Sequence, residues 1–245
     1  MSQFDHLPDP ATALVVGASG GIGAALACAL EAEGGFRVLR AARRPERCEG
    51  EALALDLEDD ASIDAFADAL RQRTDRLDLV LVASGLLHDD RRGIHPEKRL
   101  KDLRRDALER QFSVNAIGPL LLAASIAPLL PRRDPCIWGT LSARVGSIED
   151  NRAGGWYGYR GSKAAQNMFT RTLAIELGRR HRGLACVALH PGTVATGLSA
   201  PFRRPEDDGV LSPDVAAGHL LTVIKGLDAG DNGRFLAWDG RGIPW

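Results

Sequence analysis

The sequence has 245 residues, of which 44% are hydrophobic and 26% are charged. Its 31 basic and 32 acidic residues give a formal net charge of -1, so no overall field attracts the chain to nucleic acid or to an anionic membrane surface. The length and the hydrophobic fraction are sufficient for one sizeable core. We therefore expect residues 1–245 to form a single domain whose residues 1–10 are flexible.

The cysteines and the first residues restrict the cellular setting. The four cysteines are far apart in the sequence and form no C-x-x-C pair, which argues against a disulfide framework and against a zinc site. The first ten residues, MSQFDHLPDP, carry two acids and two prolines in place of the basic start and apolar run of a secretion signal. We also expect no segment that is apolar over the length of a membrane helix. The sequence therefore predicts a cytoplasmic protein without a bound metal.

Short apolar runs alternate with helical patterns along the chain. Strands are predicted at 12–16, 37–41, 52–55, 77–83, 136–141, 184–190 and 234–238. Apolar residues at helical spacing predict helices between them, among others at 24–33, 62–73 and 156–180. This alternation predicts an α/β Rossmann fold, in which a seven-stranded, doubly wound parallel sheet carries helices on both faces and binds ligands beyond the carboxyl ends of its strands.

Two polar stretches that contain proline, 86–100 and 199–211, are predicted to be irregular. The second follows a strand end, so it is either a lid over a substrate or a mobile surface loop. Trp156 and Tyr157 either line a substrate pocket or pack against the neighbouring insertion at 149–155. His190 has no carboxylate or second metal ligand beside it in sequence and is interpreted as structural.

A glycine-rich loop follows the first predicted strand and leads into the helix at 24–33. Glycine lets the chain turn tightly and lets backbone N–H groups approach a pyrophosphate, and the helix N-terminus adds a favourable dipole. The alternative is a tight turn between strand and helix that binds nothing. The loop predicts a dinucleotide site with contacts from Gly17, Ser19, Gly21, Ile22 and Gly23.

The second strand ends in Ala41-Ala42-Arg43-Arg44. NAD(H) is usually held by an acidic residue about 20 residues beyond the glycines, where it accepts hydrogen bonds from the ribose. No carboxylate occurs here, and a guanidinium suits the 2′-phosphate of NADP(H) through its fixed charge and bidentate geometry. The sequence favours NADP(H) over NAD(H), with Arg43 as the contact; the alternative is a solvated basic turn.

Tyr159 and Lys163 are one helical turn apart, so their side chains share a face of the helix. An ammonium group near a phenol lowers the phenol pKa from its usual value of about 10 toward neutral pH. Tyr159 is therefore predicted to act as the acid in carbonyl reduction and as the base in alcohol oxidation. The Y-x-x-x-K pattern is common by chance, and its position far downstream of a glycine-rich loop gives it weight.

With these motifs, the sequence resembles the short-chain dehydrogenase/reductase family from Gly17 to the final strand. It is most similar to the branch that contains the bacterial C-factor and the Sniffer-type carbonyl reductases, through the segments 141–148 (LSARVGSI), 154–160 (GGWYGYR) and 243–245 (IPW). The resemblance implies hydride transfer between a nicotinamide and a small carbonyl or alcohol substrate. The alternative is a signalling or regulatory protein that binds NAD(P) with little or no turnover.

The resemblance implies roles for further residues. Asn115 matches the asparagine that bends its helix and holds a water against the lysine, and Lys163 would also bind the nicotinamide ribose. Tyr159 is likewise expected to contact the cofactor. The remaining matches are cofactor contacts: Asp56 and Leu57 at the adenine, Ala83 and Gly85 after the fourth strand, and Pro191, Gly192, Val194 and Thr196 at the nicotinamide carboxamide.

The sequence departs from the family pattern in three places. Val16 replaces the usual threonine before the first glycine, and Ala83 replaces the asparagine of an Asn-Ala-Gly segment. The usual catalytic serine falls at Ala143, whereas Ser142 is one residue earlier, where strand alternation turns a side chain to the other face unless a bulge intervenes. We retain Ser142 as the predicted residue that orients the substrate oxygen, with Ser147 as the alternative.

The expected partners are a small-molecule substrate and further copies of the chain. The basic run from Arg91 to Arg105 is interleaved with acids that include Glu97, which predicts a solvated loop and helix and no nucleic-acid site. Helices around 119–130 and 156–180 would expose apolar faces in a monomer, and relatives pair through these helices. We therefore expect a homodimer or homotetramer that binds neither nucleic acid nor a membrane.

Overall fold

Seven parallel strands form the centre of the molecule, of which the computed structural model describes Phe4 and residues 6–245. The strands are β1 (Ala11–Val16), β2 (Phe36–Ala42), β3 (Ala52–Ala54), β4 (Leu79–Val82), β5 (Pro135–Leu141), β6 (Gly183–His190) and β9 (Phe235–Ala237). Their order in the sheet is β3-β2-β1-β4-β5-β6-β9. The Rossmann fold predicted from the sequence is confirmed. The strand order reverses between β1 and β4, which is where folds of this kind bind their ligands.

A second sheet of two short strands pairs β7 (Thr193–Val194) with β8 (Val210–Leu211). The sequence predicts irregular structure at 199–211, and that expectation is wrong at its last two residues. A strand of two residues is too short to show any hydrophobic alternation, so the pattern gave no signal of it.

Six helices cover the two faces of the main sheet: α1 (Gly21–Glu33), α2 (Asp60–Arg71), α3 (Arg105–Phe112), α4 (Gly118–Ile126), α5 (Tyr157–Gly178) and α6 (Pro213–Lys225). A π-helical turn, Ser113–Ile117, joins α3 to α4. Side chains alternate along β1, so Leu14 packs with α2, α4 and α5, whereas Val15 packs with α1 and α6. Burial on both faces explains why the central strands are apolar at successive positions.

The helix at Arg105–Leu129 is long and apolar enough to span a membrane by length and composition. The expectation that no such segment exists is therefore wrong. This helix lies against the sheet, with Leu122 and Ile126 fully buried in the core. Ile117 and Leu121 are among its exposed apolar side chains. A core helix whose outer face is also apolar gives the same composition as a membrane span.

The first ten residues are partly tied to the core. Phe4 is buried and packs edge-on against the ring of Phe36, with 4.9 Å between ring centroids, and Leu7 is also buried. Residues 1–3 and 5, which belong to the predicted flexible segment, lie outside the described residues.

Candidate active site

The carboxyl ends of the central strands open into a cavity of about 990 Å³. Its walls include the glycine-rich loop after β1, the ends of β2 and β5, the first turns of α5, and residues 190–203. Every predicted site residue lines this cavity except Gly23 and Asn115, which lie behind its wall. Residues from distant parts of the sequence thus meet as expected, and their individual roles remain predictions.

The glycine-rich loop packs too tightly for side chains. Gly17 has a φ of +82°, and a Cβ there would lie 2.9 Å from the backbone nitrogen of Ser84. A Cβ on Gly23 would lie 2.2 Å from the carbonyl oxygen of Gly17, so α1 rests directly on the loop. Gly20, at the N-cap of α1, provides no side-chain cap. The amides of the first turn of α1 are therefore suited to bind an anion.

The other end of the cavity is basic. Arg43, Arg44 and Arg47 line it. The Arg43 guanidinium makes a long contact of 3.4 Å with the Glu58 carboxylate, and its side chain is half exposed. The uncapped N-terminus of α1 is suited to one phosphate group, and the guanidinium groups at the end of β2 are suited to another. Together they fit a dinucleotide that carries an additional phosphate.

Arg110 joins two loops at the cavity edge. Its guanidinium donates to both oxygens of Glu58, at 2.8 and 3.2 Å, and it forms a second ion pair with Asp89. The hydrogen bond from Arg110 holds the pKa of the Asp89 carboxyl below its ordinary value. Glu58 follows the predicted adenine contacts Asp56 and Leu57, so Arg110 connects the segment that contains them to the loop at 86–95.

Tyr159 and Lys163 lie side by side in the cavity wall, with 6.0 Å between the lysine Nζ and the centroid of the tyrosine ring. Both side chains are buried. The Lys163 ammonium donates to the carbonyl oxygen of Leu141 and to Oε1 of Gln166, each at 2.9 Å.

Burial raises the pKa of the Tyr159 phenol well above its ordinary value and lowers the pKa of Lys163 to about 7. The prediction that the amine lowers the phenol pKa is therefore wrong for this structure. The reason is desolvation: the phenolate loses its hydration, and the lysine, itself hard to charge, directs its hydrogens to neutral carbonyl oxygens. Tyr159 consequently keeps its proton at neutral pH.

Asn115 lies at the centre of the π-helical turn and is completely buried. Its Oδ1 accepts from the amide of Leu86 at 2.7 Å, and its Nδ2 donates to the carbonyl oxygen of Leu86 and to Ser162 Oγ. The side chain thus ties the irregular helix to the segment after β4 and to α5. Gly85 lies between Asn115 and Lys163, since a Cβ there would be 3.8 Å from Asn115 Oδ1 and 3.7 Å from Lys163 Nζ.

The predicted oxygen-orienting serine does not direct its hydroxyl hydrogen at the cavity. Ser142 lines the cavity, but its Oγ donates to Oδ1 of Asn167 at 2.6 Å in the interior. Strand alternation continues through Ser142 without a bulge, so the side chain faces α5. Ser147 is buried and donates to the carbonyl oxygen of Trp245. Ala143, at the family's serine position, lines the cavity with a methyl group.

An aromatic wall stands over Tyr159, and the sequence indicated only part of it. The Trp156 ring lies 6.2 Å from the Tyr159 ring and 5.3 Å from the Phe202 ring, and Phe202 in turn contacts His88. His88 Nε2 also hydrogen-bonds with the carbonyl oxygen of Gly197 at 2.9 Å. Of the two alternatives for residues 199–211, the lid fits the placement of Phe202. Of the neighbouring aromatics, Trp156 lines the cavity, while Tyr157 is exposed outside it.

Two polar side chains of the cavity wall were not predicted as site residues. Ser84 Oγ and His190 Nδ1 are buried and have no hydrogen-bond partner within the described part of the chain. Burial and the nearby Arg144 lower the pKa of His190 to about 4, so its imidazole is neutral. No sequence signal singled out Ser84, because a serine after a strand is a common residue. In the described residues, no group of three or more His, Cys, Asp or Glu is placed to hold a metal.

Comparison with known proteins gives a family match over most of the chain. The profile of the family described as short chain dehydrogenase matches residues 11–207. The 1-hydroxy-2-glutathionyl-2-methyl-3-butene dehydrogenase of Rhodococcus sp. (strain AD45) is 34% identical over 191 residues, which cover 78% of this chain and 78% of that protein. The C-signal protein of Myxococcus xanthus is 37% identical over 138 residues, covering 56% of this chain and 78% of that protein.

Solved structures agree with these matches. The NADPH-bound carbonyl reductase from chicken fatty liver superposes with a TM-score of 0.82 at 26% identity. The match covers 98% of this chain and 100% of that chain. The family resemblance predicted from the sequence is thereby confirmed.

Proposed function

We propose that this chain, which belongs to the short-chain dehydrogenase family, transfers a hydride between NADP(H) and a carbonyl or alcohol substrate, with Tyr159 as general acid and base. One observation carries the proposal: a buried phenol and a buried amine lie together in the wall of a cavity that also contains a glycine-rich loop and Arg43. The similar carbonyl reductase from chicken fatty liver binds NADPH.

The residues of this chain have distinct tasks in that reaction. The nicotinamide of a bound NADP(H) supplies or accepts the hydride. In reduction, Tyr159 gives its phenolic proton to the carbonyl oxygen, and burial ensures that the phenol carries this proton at neutral pH. Lys163, which lies beside Tyr159 in the cavity wall, would bind the nicotinamide ribose of the cofactor. Trp156 and Phe202 exclude water from the reacting atoms.

The cofactor assignment rests on charge at the end of β2. Arg43, Arg44 and Arg47 supply guanidinium groups, and the strand end carries no acid that would accept from a ribose 2′-hydroxyl. We therefore propose NADP(H) over NAD(H). Glycine-loop amides would bind the pyrophosphate, and residues 191–196 would close over the nicotinamide carboxamide.

The test of the enzymatic proposal compares the only two tyrosines of the chain. Tyr159→Phe is expected to lower kcat at least about 100-fold across a panel of ketones and aldehydes, because the proton donor is lost. NADPH affinity should stay within about twofold, since the ring remains. Tyr157→Phe, outside the cavity, should leave both unchanged. Full turnover by Tyr159→Phe would overturn the assignment.

A second candidate function is a regulatory protein that binds NADP(H) with little turnover. It is favoured by the hydroxyl of Ser142 being bonded to Asn167 while Ala143 faces the cavity, and by the similarity to the C-signal protein of Myxococcus xanthus. Tight NADPH binding by the wild-type chain without turnover of any carbonyl in the panel would favour this candidate. Turnover that depends on Tyr159 would exclude it.

We further propose that the chain is cytoplasmic and forms a homodimer or homotetramer. Ile117, Leu121, Met168 and Ile175 are exposed on the π-helical turn, α4 and α5. A second copy of the same helices would cover these side chains. Light scattering at micromolar concentration should give a mass of two or four chains, and Met168→Glu should reduce it. A monomeric wild-type mass would contradict the proposal.

A further inference from the structure

We propose that Glu97 is a positioning residue for Tyr159, acting by holding the first turn of α5. This inference rests on the proposed function, since it concerns the same tyrosine. Glu97 belongs to the charged run that was expected to be solvated, and that expectation is wrong at this residue, because Glu97 is only 3% exposed. A carboxylate is rarely buried to this degree without a partner, so the surroundings of Glu97 call for a physical reason.

The reason lies at the N-terminus of α5, which carries both Tyr159 and Lys163. The first amides of a helix have no acceptor within the helix and need one from elsewhere. The N-cap residue of α5 is Trp156, whose indole provides no side-chain cap. The helix that bears the proposed reacting groups therefore begins without a cap of its own.

Glu97 supplies two acceptors to this helix from 61 residues away in sequence. Its Oε2 accepts from the amide of Gly158 at 3.1 Å, and its carbonyl oxygen accepts from the amide of Trp156 at 2.5 Å. A carboxylate at a helix N-terminus is also favoured by the helix dipole. The buried charge is thus stabilised by the helix end that it fixes.

The two amides lie just before the proposed acid in the chain. Gly158 directly precedes Tyr159 in the chain, and Trp156 packs its ring against the Tyr159 ring. Trp156 has a φ of +52°, the one positive value of a non-glycine residue within the described part of the chain. A bulky residue in this region is strained, so its conformation needs support from the surroundings. The hydrogen bond from its amide to the backbone carbonyl oxygen of Glu97 provides part of that support, and the side-chain bond to Gly158 fixes the next turn.

Close packing limits the freedom of this contact. A Cβ on Gly158 would lie 1.8 Å from Oε1 of Gln111 and 3.0 Å from Oε1 of Glu97. Gly158 therefore lets the carboxylate and the Gln111 amide approach the backbone of α5. Both Oε1 atoms are buried, and neither has a hydrogen-bond donor within the described residues. A displaced Glu97 side chain would shift the start of α5, and Tyr159 with it.

The experiment uses three substitutions of Glu97 and one control. Glu97→Ala removes the side-chain acceptor of the Gly158 amide, and Glu97→Asp draws the carboxylate back by one methylene. Glu97→Gln keeps an oxygen for Gly158 and can offer an N–H to Gln111. Glu109→Ala, an exposed carboxylate on α3, is the matched control. The readouts are kcat and KM with a carbonyl substrate, NADPH affinity, and hydrogen exchange at the amides of Trp156 and Gly158.

Glu97→Ala is expected to lower kcat at least about tenfold with NADPH affinity unchanged, because a displaced acid loses its alignment with the substrate oxygen. The amide of Gly158 should exchange faster, because its side-chain acceptor is removed, whereas the amide of Trp156 keeps its bond to the backbone carbonyl of residue 97 and serves as an internal reference. Glu97→Gln should keep kcat within about threefold of wild type, because its side-chain oxygen can still accept from the Gly158 amide. If the negative charge of Glu97 mattered only for stability, this variant would not be rescued. If Glu97→Ala does not fold, Glu97→Asp should show the same separation of kcat from NADPH affinity.

Two results would overturn the proposal: an unchanged kcat in Glu97→Ala or Glu97→Asp while the Gly158 amide exchanges faster, and unchanged exchange at the Gly158 amide. Hydrogen exchange is measured without substrate, so it reports on the hold of Glu97 on α5 even if the wild-type chain turns over no carbonyl. Absence of wild-type turnover would refute the proposed function by itself. The two failures are therefore distinguishable.

Discussion

Ser142 donates its hydroxyl hydrogen to Oδ1 of Asn167, at a distance of 2.6 Å. Asn167 lies one helical turn beyond Lys163 on α5, and its Nδ2 donates to the carbonyl oxygen of Gly146. The pair therefore fastens the end of β5 and the following turn to α5. Ala143, the next residue, lines the cavity at the position where the family resemblance implies a serine.

This pairing predicts opposite results for two neighbouring substitutions. Ser142→Ala should cost about 1–3 kcal/mol of folding stability, because Asn167 loses a buried donor, and should change kcat less than about threefold. Ala143→Ser should raise kcat about tenfold by adding a hydrogen-bond donor at the substrate oxygen. Chemical denaturation and steady-state kinetics measure both. Loss of turnover in a folded Ser142→Ala would reinstate Ser142 as the orienting residue.

Arg43 governs the second prediction, which concerns cofactor choice. Arg43→Asp should weaken NADPH binding about 10-fold to 100-fold by removing a charge-assisted contact with the 2′-phosphate. NADH binding should strengthen, since a carboxylate can accept from the ribose hydroxyls. Arg37→Asp, an exposed residue near the start of the same strand, makes the same charge change away from the cavity. Equal NADPH affinities for the two variants in fluorescence titrations would refute the assignment.

The third prediction concerns contact between α1 and the glycine-rich loop. Gly23→Ala should reduce NADPH affinity at least about tenfold and stability by about 1–3 kcal/mol, because its Cβ would meet the Gly17 carbonyl oxygen at 2.2 Å. Gly218→Ala, in the middle of α6, has no atom within 4 Å of the added carbon and should stabilise the chain by up to about 1 kcal/mol. Isothermal titration and thermal unfolding distinguish the two. Unimpaired binding by Gly23→Ala would show that the loop can yield.

Lys163 gives a prediction about pH. Burial lowers its pKa from the ordinary 10.5 to about 7 in the folded chain, whereas the unfolded chain keeps the ordinary value. Between these values the unfolded state binds more protons, so the contribution of Lys163 to stability rises with pH. Lys163→Met should therefore gain most stability relative to wild type below pH 7, and this advantage should fall by up to about 5 kcal/mol toward pH 10. A difference in unfolding free energy that is constant with pH would contradict the shifted pKa.

The sheet was predictable from sequence for a simple physical reason. Parallel strands buried on both faces are apolar at successive positions, as in Leu79–Val82, and charged or glycine residues end them. The glycine-rich loop and the pair Tyr159 and Lys163 were predictable because their spacing is local. Each of these motifs lies within one turn or one helical turn, so no tertiary information was needed to bring its parts together.

Other parts of the site depend on tertiary contacts that no local pattern encodes. Glu97 resembled its exposed neighbours in sequence, and only its approach to α5 removes it from solvent. The side to which Ser142 turns depends on whether β5 ends regularly or in a bulge, and composition does not decide that. The raised pKa of Tyr159 follows from burial, a tertiary property, whereas the sequence shows only that a lysine is near in the chain. The sequence thus indicated which groups are proposed to react. It did not indicate how those groups are buried or hydrogen-bonded.

The guanidinium of Arg110 has a consequence for engineering this chain. It binds Glu58, next to the predicted adenine contacts, and Asp89 in the loop whose His88 contacts Phe202, so under the proposed function these two ion pairs would join the segments around coenzyme and substrate. Changes that retune coenzyme preference near Glu58 will therefore also alter selectivity among carbonyl compounds. Mutant libraries that vary the residues near Glu58 and the residues near Asp89 separately will miss combinations that depend on both. Libraries that vary the two sets together are the better design.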